Sequence, residues 1–167
     1  MQTRIELIPE KKLAGKRLTM SFSDNQTARL WQSFMPRRKE ILNNVSADLI
    51  SMKIYPHSFD FTFADTGAEF DKWAAVEVSD FKNVPAGMET YILPGGIYAV
   101  FLYKGSSTDT SIFQYIFGTW LPGSIYAVDN RPHFEVLGEK YKNNDPSSEE
   151  EIWIPVRLKG IMPEDKK

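Results

Sequence analysis

The chain has 167 residues, of which 42% are hydrophobic and 25% charged, and its net charge is −2. This composition is typical of one globular domain, and the small negative charge gives no reason to expect direct binding to nucleic acid or to a membrane surface. The absence of cysteine excludes disulfides, thiolate catalysis and cysteine-ligated zinc. No apolar run has the length of a signal peptide core or a membrane span, so we expect a cytoplasmic protein.

The first half of the chain predicts the order strand, helix, strand, strand. The strands are expected at residues 3–8 continuing into 11–22, at 49–55 and at 72–78, and the helix at about 26–42. Gly15, inside the first strand, predicts a bulge or a close approach of two backbones. Pro36 falls inside the helical pattern, so we expect it to kink the helix or to end its first part near Met35.

The second half repeats this order after a joint at 83–88. A strand pair or one bent strand is expected at 89–103, broken at Pro94-Gly95-Gly96, and the last two strands at 133–141 and 151–158. Between them, apolar residues spaced by three and four predict a helix: Ile112, Phe113, Ile116, Phe117, Trp120 and Leu121. The polar end of the chain, 161–167, is expected to be loose.

The two halves therefore indicate a tandem duplication within one α+β domain. We expect a single domain over 1–160, with repeats at about 1–82 and 88–158, and a correspondence between Trp73 and Trp153. Two strand–helix–strand–strand units are predicted to form one antiparallel sheet with both helices on one face. The sheet face away from the helices is then expected to carry Trp73, Trp153 and Glu135 along a groove at the seam.

Several segments resemble the GyrI-like small-molecule-binding family, which is related to the effector-binding domains of AraC-type and MerR-type multidrug regulators. They are LWQSFMPRR (30–38), KWAAVEV (72–78), LPGGIYAVFLYKG (93–105), WLPGSIYAVDNRPHFEVLG (120–138) and EEEIWIPV (149–156). The resemblance implies the same tandem fold. In the regulators an acidic side chain in an aromatic groove pairs with lipophilic cations, and the glutamate that matches this acid is Glu135. Some members of the family are similar in fold but hydrolyse cyclopropane-type electrophiles.

The candidate ligand-binding residues are one acid and five aromatic residues: Glu135, Trp73, Trp153, Tyr55, Tyr91 and Tyr98. A carboxylate in a partly desolvated groove attracts a cation more strongly than it does in water. Tryptophan faces bind flat or cationic ligands by stacking and cation–π contact, although the same residues are also common in cores. His57 and His133 are the only histidines, without metal-ligand spacing, so neither a metal nor another cofactor is expected.

Three functions remain open at this point. The first is a stand-alone module that binds amphipathic or cationic small molecules and regulates transcription or a partner protein. The second is a hydrolase of reactive electrophiles, with Glu135 as the base that activates water and a tyrosine such as Tyr98 as its partner. The third is a protein-interaction module of the gyrase-inhibitor type.

Overall fold

A computed structural model describes residues 2–62 and 64–160 as a nine-stranded sheet with two helical segments. The strands are β1 (Thr3–Ile8), β2 (Lys11–Met20), β3 (Leu49–Ile54), β4 (Phe70–Val78), β5 (Glu89–Leu93), β6 (Gly96–Lys104), β7 (Tyr126–Val128), β8 (His133–Leu137) and β9 (Glu149–Leu158). Within these ranges, no helix combines the length and apolar character that crossing a membrane requires. The predicted loose tail, 161–167, lies outside the described residues.

The first helical segment follows its predicted course and is shaped by its proline. Helix α1 (Thr27–Phe34) ends one residue before Met35, and a 3₁₀ helix (Met35–Glu40) with Pro36 in its first turn continues the segment. Proline removes one backbone N–H and disfavours a helical conformation of the residue before it. The expected change of helix near Met35 is therefore confirmed.

The second helical segment is less regular than the first. It begins with α2 (Ser111–Tyr115), passes through a π-helical stretch (Ile116–Trp120) and ends with one turn (Leu121–Gly123). The strand predicted over 133–141 ends early at Leu137, because Gly138 starts a turn closed by the Tyr141 N–H donating to its carbonyl at 3.1 Å. The short strand β7, which pairs with the end of β9, was not predicted.

The strand order shows the tandem duplication directly. The sheet runs β1-β6-β9-β8-β3-β4-β2-β5, and all neighbouring strands are antiparallel. Counted outward from the pairing of β3 with β8, the first half has the order β3-β4-β2 and the second half the order β8-β9-β6. Corresponding strands of the two halves therefore lie at equal distances from this pairing, where the halves meet. At this seam Met52 lies opposite Phe134, and each of the two is paired on its other side with one of the tryptophans, Trp73 and Trp153. The predicted α+β duplication is thus confirmed.

Both helical segments cover the same face of the sheet. Directly opposed residues share a face, and one such row runs from Ala74 through Ser51 and Glu135 to Ile152. The core cluster of α1 lies at the Ala74 end of this row, and the core cluster of α2 lies at the Ile152 end. The centre of the row, at the seam, therefore lies between the two helices.

The other face of the sheet forms an interior of its own. The link at residues 9–10 joins β1 to β2, and the link at residues 94–95 joins β5 to β6. Each link is only two residues long, yet it joins strands from opposite ends of the strand order. The links also touch, because a Cβ added at Gly95 would lie 2.7 Å from the carbonyl oxygen of Ile8. The sheet therefore curves back on itself, and its second face buries a cluster of nine residues: Leu13, Ile50, Met52, Trp73, Ala75, Leu93, Tyr98, Val100 and Phe134.

Candidate functional site

The seam between the helices carries a strip of charged side chains on a largely apolar face. Lys53 lies directly between Lys72 on β4 and His133 on β8. Glu135 lies two residues after His133 along β8 and therefore on the same face. Glu150, at the start of β9, completes the strip and is only 8% exposed. Charged residues rarely occupy such positions unless they are paired, so this strip is the clearest candidate for a functional site.

Glu135 and Lys53 form an ion pair across the seam. The Lys53 ammonium Nζ lies 4.0 Å from Glu135 Oε1, and the two side chains are only 16% and 20% exposed. Lys53 follows Met52 and Glu135 follows Phe134, and those two preceding residues are opposed on the seam. The lysine and the glutamate therefore occupy equivalent positions in the two halves of the duplicated sheet.

Two phenylalanine rings flank the ammonium group of Lys53. Its Nζ lies 4.9 Å from the ring centroid of Phe113 on α2 and 5.9 Å from that of Phe22, distances at which a cation is attracted by the ring face. Burial by itself would lower the pKa of Lys53, but Tyr55, Glu135 and the nearby Glu150 together raise that pKa above its ordinary value. Lys53 is therefore a charged group at neutral pH, held by an acid and two aromatic rings.

The carboxyl of Glu150 is held in its protonated form. Burial, the negative charge of Glu135 and a hydrogen bond between the two carboxyl groups raise the pKa of Glu150 well above its usual range. Its Oε2 has no hydrogen-bond partner among the residues that the structure describes. On the far side of Lys53, burial and the Lys53 charge lower the pKa of Lys72 to about 8, and its Nζ donates to Thr27 Oγ1 at 3.1 Å.

Aromatic rings close one end of the cleft. Phe61, from the loop after β3, stacks on His133 at 5.1 Å and on Phe117 of the second helical segment at 5.2 Å between ring centroids. Tyr55 meets the edge of the same imidazole at 4.9 Å. Burial, Lys53 and Arg131 lower the pKa of His133 to about 3, so the imidazole is neutral and serves as one more flat wall.

The expectation that Glu135 shares a sheet face with the two tryptophans is wrong. Strand pairing places Phe134 opposite Trp153 and Glu135 opposite Ile152, so the acid points toward the helices and Trp153 points into the second interior. The polar side of β8 thus lies on the same sheet face as the apolar side of β9. Such a combination is possible here because both faces of the sheet are buried. Alternation identifies which residues of one strand share a face, but it does not relate the faces of two strands.

The other predicted residues divide in the same way. Tyr55 lies beside Glu135 in the cleft, whereas Tyr98 is fully buried on the other face, where its hydroxyl donates to the Pro132 carbonyl at 3.4 Å. Trp73 is 3% exposed and packs against Tyr91 at 5.7 Å. The sheet separates these side chains from Glu135, and their role in ligand binding stays a prediction.

Sequence reasoning missed Lys53, His133, Glu150, Phe113 and Phe117 as members of the site. The alternation within LISMKIY puts Ser51 and Lys53 on one side of β3 and indicates that this side is polar. The two phenylalanines were placed on the apolar stripe of the second helix. Nothing in the sequence relates that stripe to the polar side of β3, because the contact crosses the duplication.

The fold and the site define a small-molecule-binding domain: a duplicated sheet under two helices, with an acid in an aromatic cleft between them. Residues 1–157 match the model of the GyrI-like small molecule binding domain, and the chain belongs to that family. The predicted resemblance is therefore confirmed. In sequence, the chain is 26% identical to the transcriptional regulator BrlR of Pseudomonas aeruginosa over 158 residues, which are 93% of this chain and 56% of BrlR. The chain thus spans about half the length of this relative.

Two solved structures are similar to this fold over nearly the whole chain. The structure of SAV2435 bound to tetraphenylphosphonium has a TM-score of 0.73 and 17% identity, covering 94% of both chains. The C-terminal domain of EcmrR has a TM-score of 0.68 and 16% identity, covering 94% of this chain and 98% of that domain. At these identities the likeness establishes the fold, and the chemistry of the site rests on the residues of this chain.

Proposed function

We propose that this chain binds lipophilic aromatic small molecules, cations among them, in the cleft between its two helical segments. The observation that carries the proposal is Glu135, a carboxylate only 20% exposed in a cleft lined by Tyr55, Phe113 and Phe117. The binding of tetraphenylphosphonium by SAV2435, which has the same fold, supports this chemistry. The likeness to BrlR supports the further proposal that such binding regulates transcription.

Two forces would hold a ligand in this cleft. Burial of apolar ligand surface against the phenylalanine rings contributes roughly 25 cal/mol per Å². A cationic ligand gains in addition from the Glu135 carboxylate, because charges interact more strongly where water is largely excluded. The cleft is narrow, since Lys53 and the aromatic side chains occupy it. A ligand of the size of tetraphenylphosphonium therefore binds by moving side chains apart.

Glu135→Gln is expected to lower the affinity for tetraphenylphosphonium at least tenfold, a loss of about 1.4 kcal/mol. The substitution keeps the shape of the side chain and removes its charge. Isothermal titration calorimetry of both proteins measures the difference. Glu151→Gln is the matched control, because Glu151 belongs to the opposite sheet face and pairs with Arg4. Equal affinities of wild type and Glu135→Gln would remove Glu135 as the anchor.

The pair of carboxyl groups favours a second candidate, a hydrolase of strained electrophiles. Glu135 would take a proton from a water molecule while the oxygen of that water bonds to the electrophilic carbon. The protonated Glu150 would return a proton to the carbon released by ring opening. Tyr55, rather than the distant Tyr98, is the tyrosine at this site.

The hydrolase predicts turnover that depends on both acids. Mass spectrometry of a cyclopropane-type electrophile incubated with the protein should show a product heavier by one water, and Glu135→Gln and Glu150→Gln should each reduce its rate at least a hundredfold. If the compound is recovered intact from the wild-type protein, while tetraphenylphosphonium still binds, the protein is a binder without this activity.

A further inference from the structure

We propose that Lys53 is a specificity-determining residue that acts as a tethered competitor for cationic ligands, so that a lipophilic cation binds only by displacing its ammonium group. This inference rests on the proposed function of the cleft, and it names the residue that sets the preference of the cleft for cationic or anionic ligands. It follows from the position of Lys53, its contacts and the balance of charges around it.

The position of Lys53 is that of a counter-ion built into the duplicated fold. Lys53 and Glu135 stand at equivalent places in the two halves, each one residue after the opposed pair Met52 and Phe134 on the seam. An exact duplication would place two like side chains diagonally across the seam, because Lys53 is paired with His133 and Glu135 with Ser51. In this chain one half supplies the acid and the other half supplies its cation.

The contacts of Lys53 are those that a free lipophilic cation would use. Its Nζ lies 4.0 Å from Glu135 Oε1 and 4.9 Å from the centroid of the Phe113 ring, with Phe22 at 5.9 Å on another side. A carboxylate combined with aromatic faces is the general recognition element for quaternary and other soft cations. Lys53 therefore occupies the place where such a ligand would gain most.

The charges of the strip leave no free negative charge for a second cation. Glu150 is held protonated beside Glu135, so Glu135 is the carboxylate that balances Lys53. Lys72, directly opposite Lys53, adds positive charge on the same face. With Lys53 in place, a cation entering the cleft meets a neutral or positive environment, while an anion of the same shape meets a favourable one.

A ligand can displace the ammonium group of Lys53 because this group is carried on a flexible side chain. The side chain is 16% exposed and its four-carbon stem has several rotatable bonds, so a change of rotamer can carry the ammonium away from Glu135 toward water. The affinity for a cation is then reduced by the free energy needed to move Lys53 away from Glu135. Replacing Lys53 by a neutral side chain of similar length removes that competition.

The test uses two ions of the same shape and opposite charge, tetraphenylphosphonium and tetraphenylborate, with wild type, Lys53→Met and Lys53→Arg. We expect Lys53→Met to bind tetraphenylphosphonium at least tenfold more tightly than wild type and tetraphenylborate at least tenfold more weakly. Lys53→Arg retains the charge and should lack the gain for the cation. Lys140→Met, which removes an exposed lysine paired with Glu149, is the matched control.

A second measurement follows Lys53 in the wild-type protein and uses a charge-conserving variant only for assignment. In wild type, the rings of Phe113 and Phe22 should shift the Lys53 side-chain NMR resonances away from those of the exposed lysines, and Lys53→Arg assigns them. Saturation with tetraphenylphosphonium should move these resonances to the positions of a solvated lysine. A ligand that binds without changing them contradicts displacement.

The outcomes separate this inference from the function on which it rests. If folded Lys53→Met binds tetraphenylphosphonium no better than wild type, while Glu135→Gln binds it more weakly, Lys53 is not a competitor although the cleft binds cations. If neither ion binds to wild type or to Lys53→Met, the proposed cleft itself is overturned, and the inference falls with it.

Discussion

Lowering the pH from 7 to 4 is expected to destabilise the wild-type fold by about 3 kcal/mol more than it destabilises His133→Phe. The cause is the buried imidazole, which stacks on Phe61 and lies opposite the charged Lys53. Its pKa is lowered from 6.5 to about 3 by burial, by Lys53 and by Arg131. Between these two values the unfolded chain binds a proton that the folded chain does not.

The sign of this effect follows from proton linkage. Stability increases with pH wherever the unfolded state binds more protons, so the contribution of His133 is complete above pH 6.5 and is lost as the pH falls toward 3. Phenylalanine keeps a flat ring against Phe61 without this titration. Urea unfolding of both proteins at several pH values between 4 and 7 measures the difference directly.

His57→Gln provides the matched control for this prediction, because His57 is exposed in the loop after β3. We expect that variant to keep the wild-type dependence of stability on pH. Parallel pH profiles of wild type and His133→Phe would show that the imidazole accepts its proton without cost, and would contradict the described packing of His133.

Gly15→Ala is expected to lower the free energy of unfolding by about 3 kcal/mol, the upper end of the ordinary cost of overpacking. Gly15 lies opposite Ala75 in the β2–β4 pairing, and a Cβ at this position would overlap the carbonyl oxygen of Ala74 and stand 2.7 Å from Ala75 Cα. Both obstacles are backbone atoms of a central strand, so neither can move without disturbing the sheet. The predicted close backbone approach at Gly15 is thus observed.

Gly118→Ala is the control, since a Cβ at Gly118 meets no atom within 4 Å and alanine favours a helical segment. Its stability should equal or exceed that of wild type. The midpoint of urea unfolding reports both changes, provided that the slope of the transition is unchanged. A loss below 1 kcal/mol in Gly15→Ala would mean that β2 and β4 separate more easily than their pairing indicates.

The sequence by itself was sufficient for the plan of the fold. Apolar spacing located both helices, alternation located most strands, and the matching positions of Trp73 and Trp153 revealed the duplication. These features are local or repeat at a fixed distance along the chain, so they can be read without knowing which strands are neighbours. The acid that would anchor a ligand, Glu135, was identified by the resemblance of its segment to the GyrI-like family.

Only the tertiary structure decided which side chains surround that acid. Alternation relates residues within one strand, whereas the register between strands depends on long-range pairing, and here both faces of the sheet are buried. Polarity therefore could not identify the face that Glu135 shares with its neighbours. Strand pairing placed Trp73 and Trp153 in the second interior, brought Lys53 across the seam to Glu135, and set both beneath rings from the helical side. That juxtaposition depends on contacts between the two halves of the chain, and it is the reason why we propose that the lysine, rather than a tryptophan, decides which charge the cleft accepts.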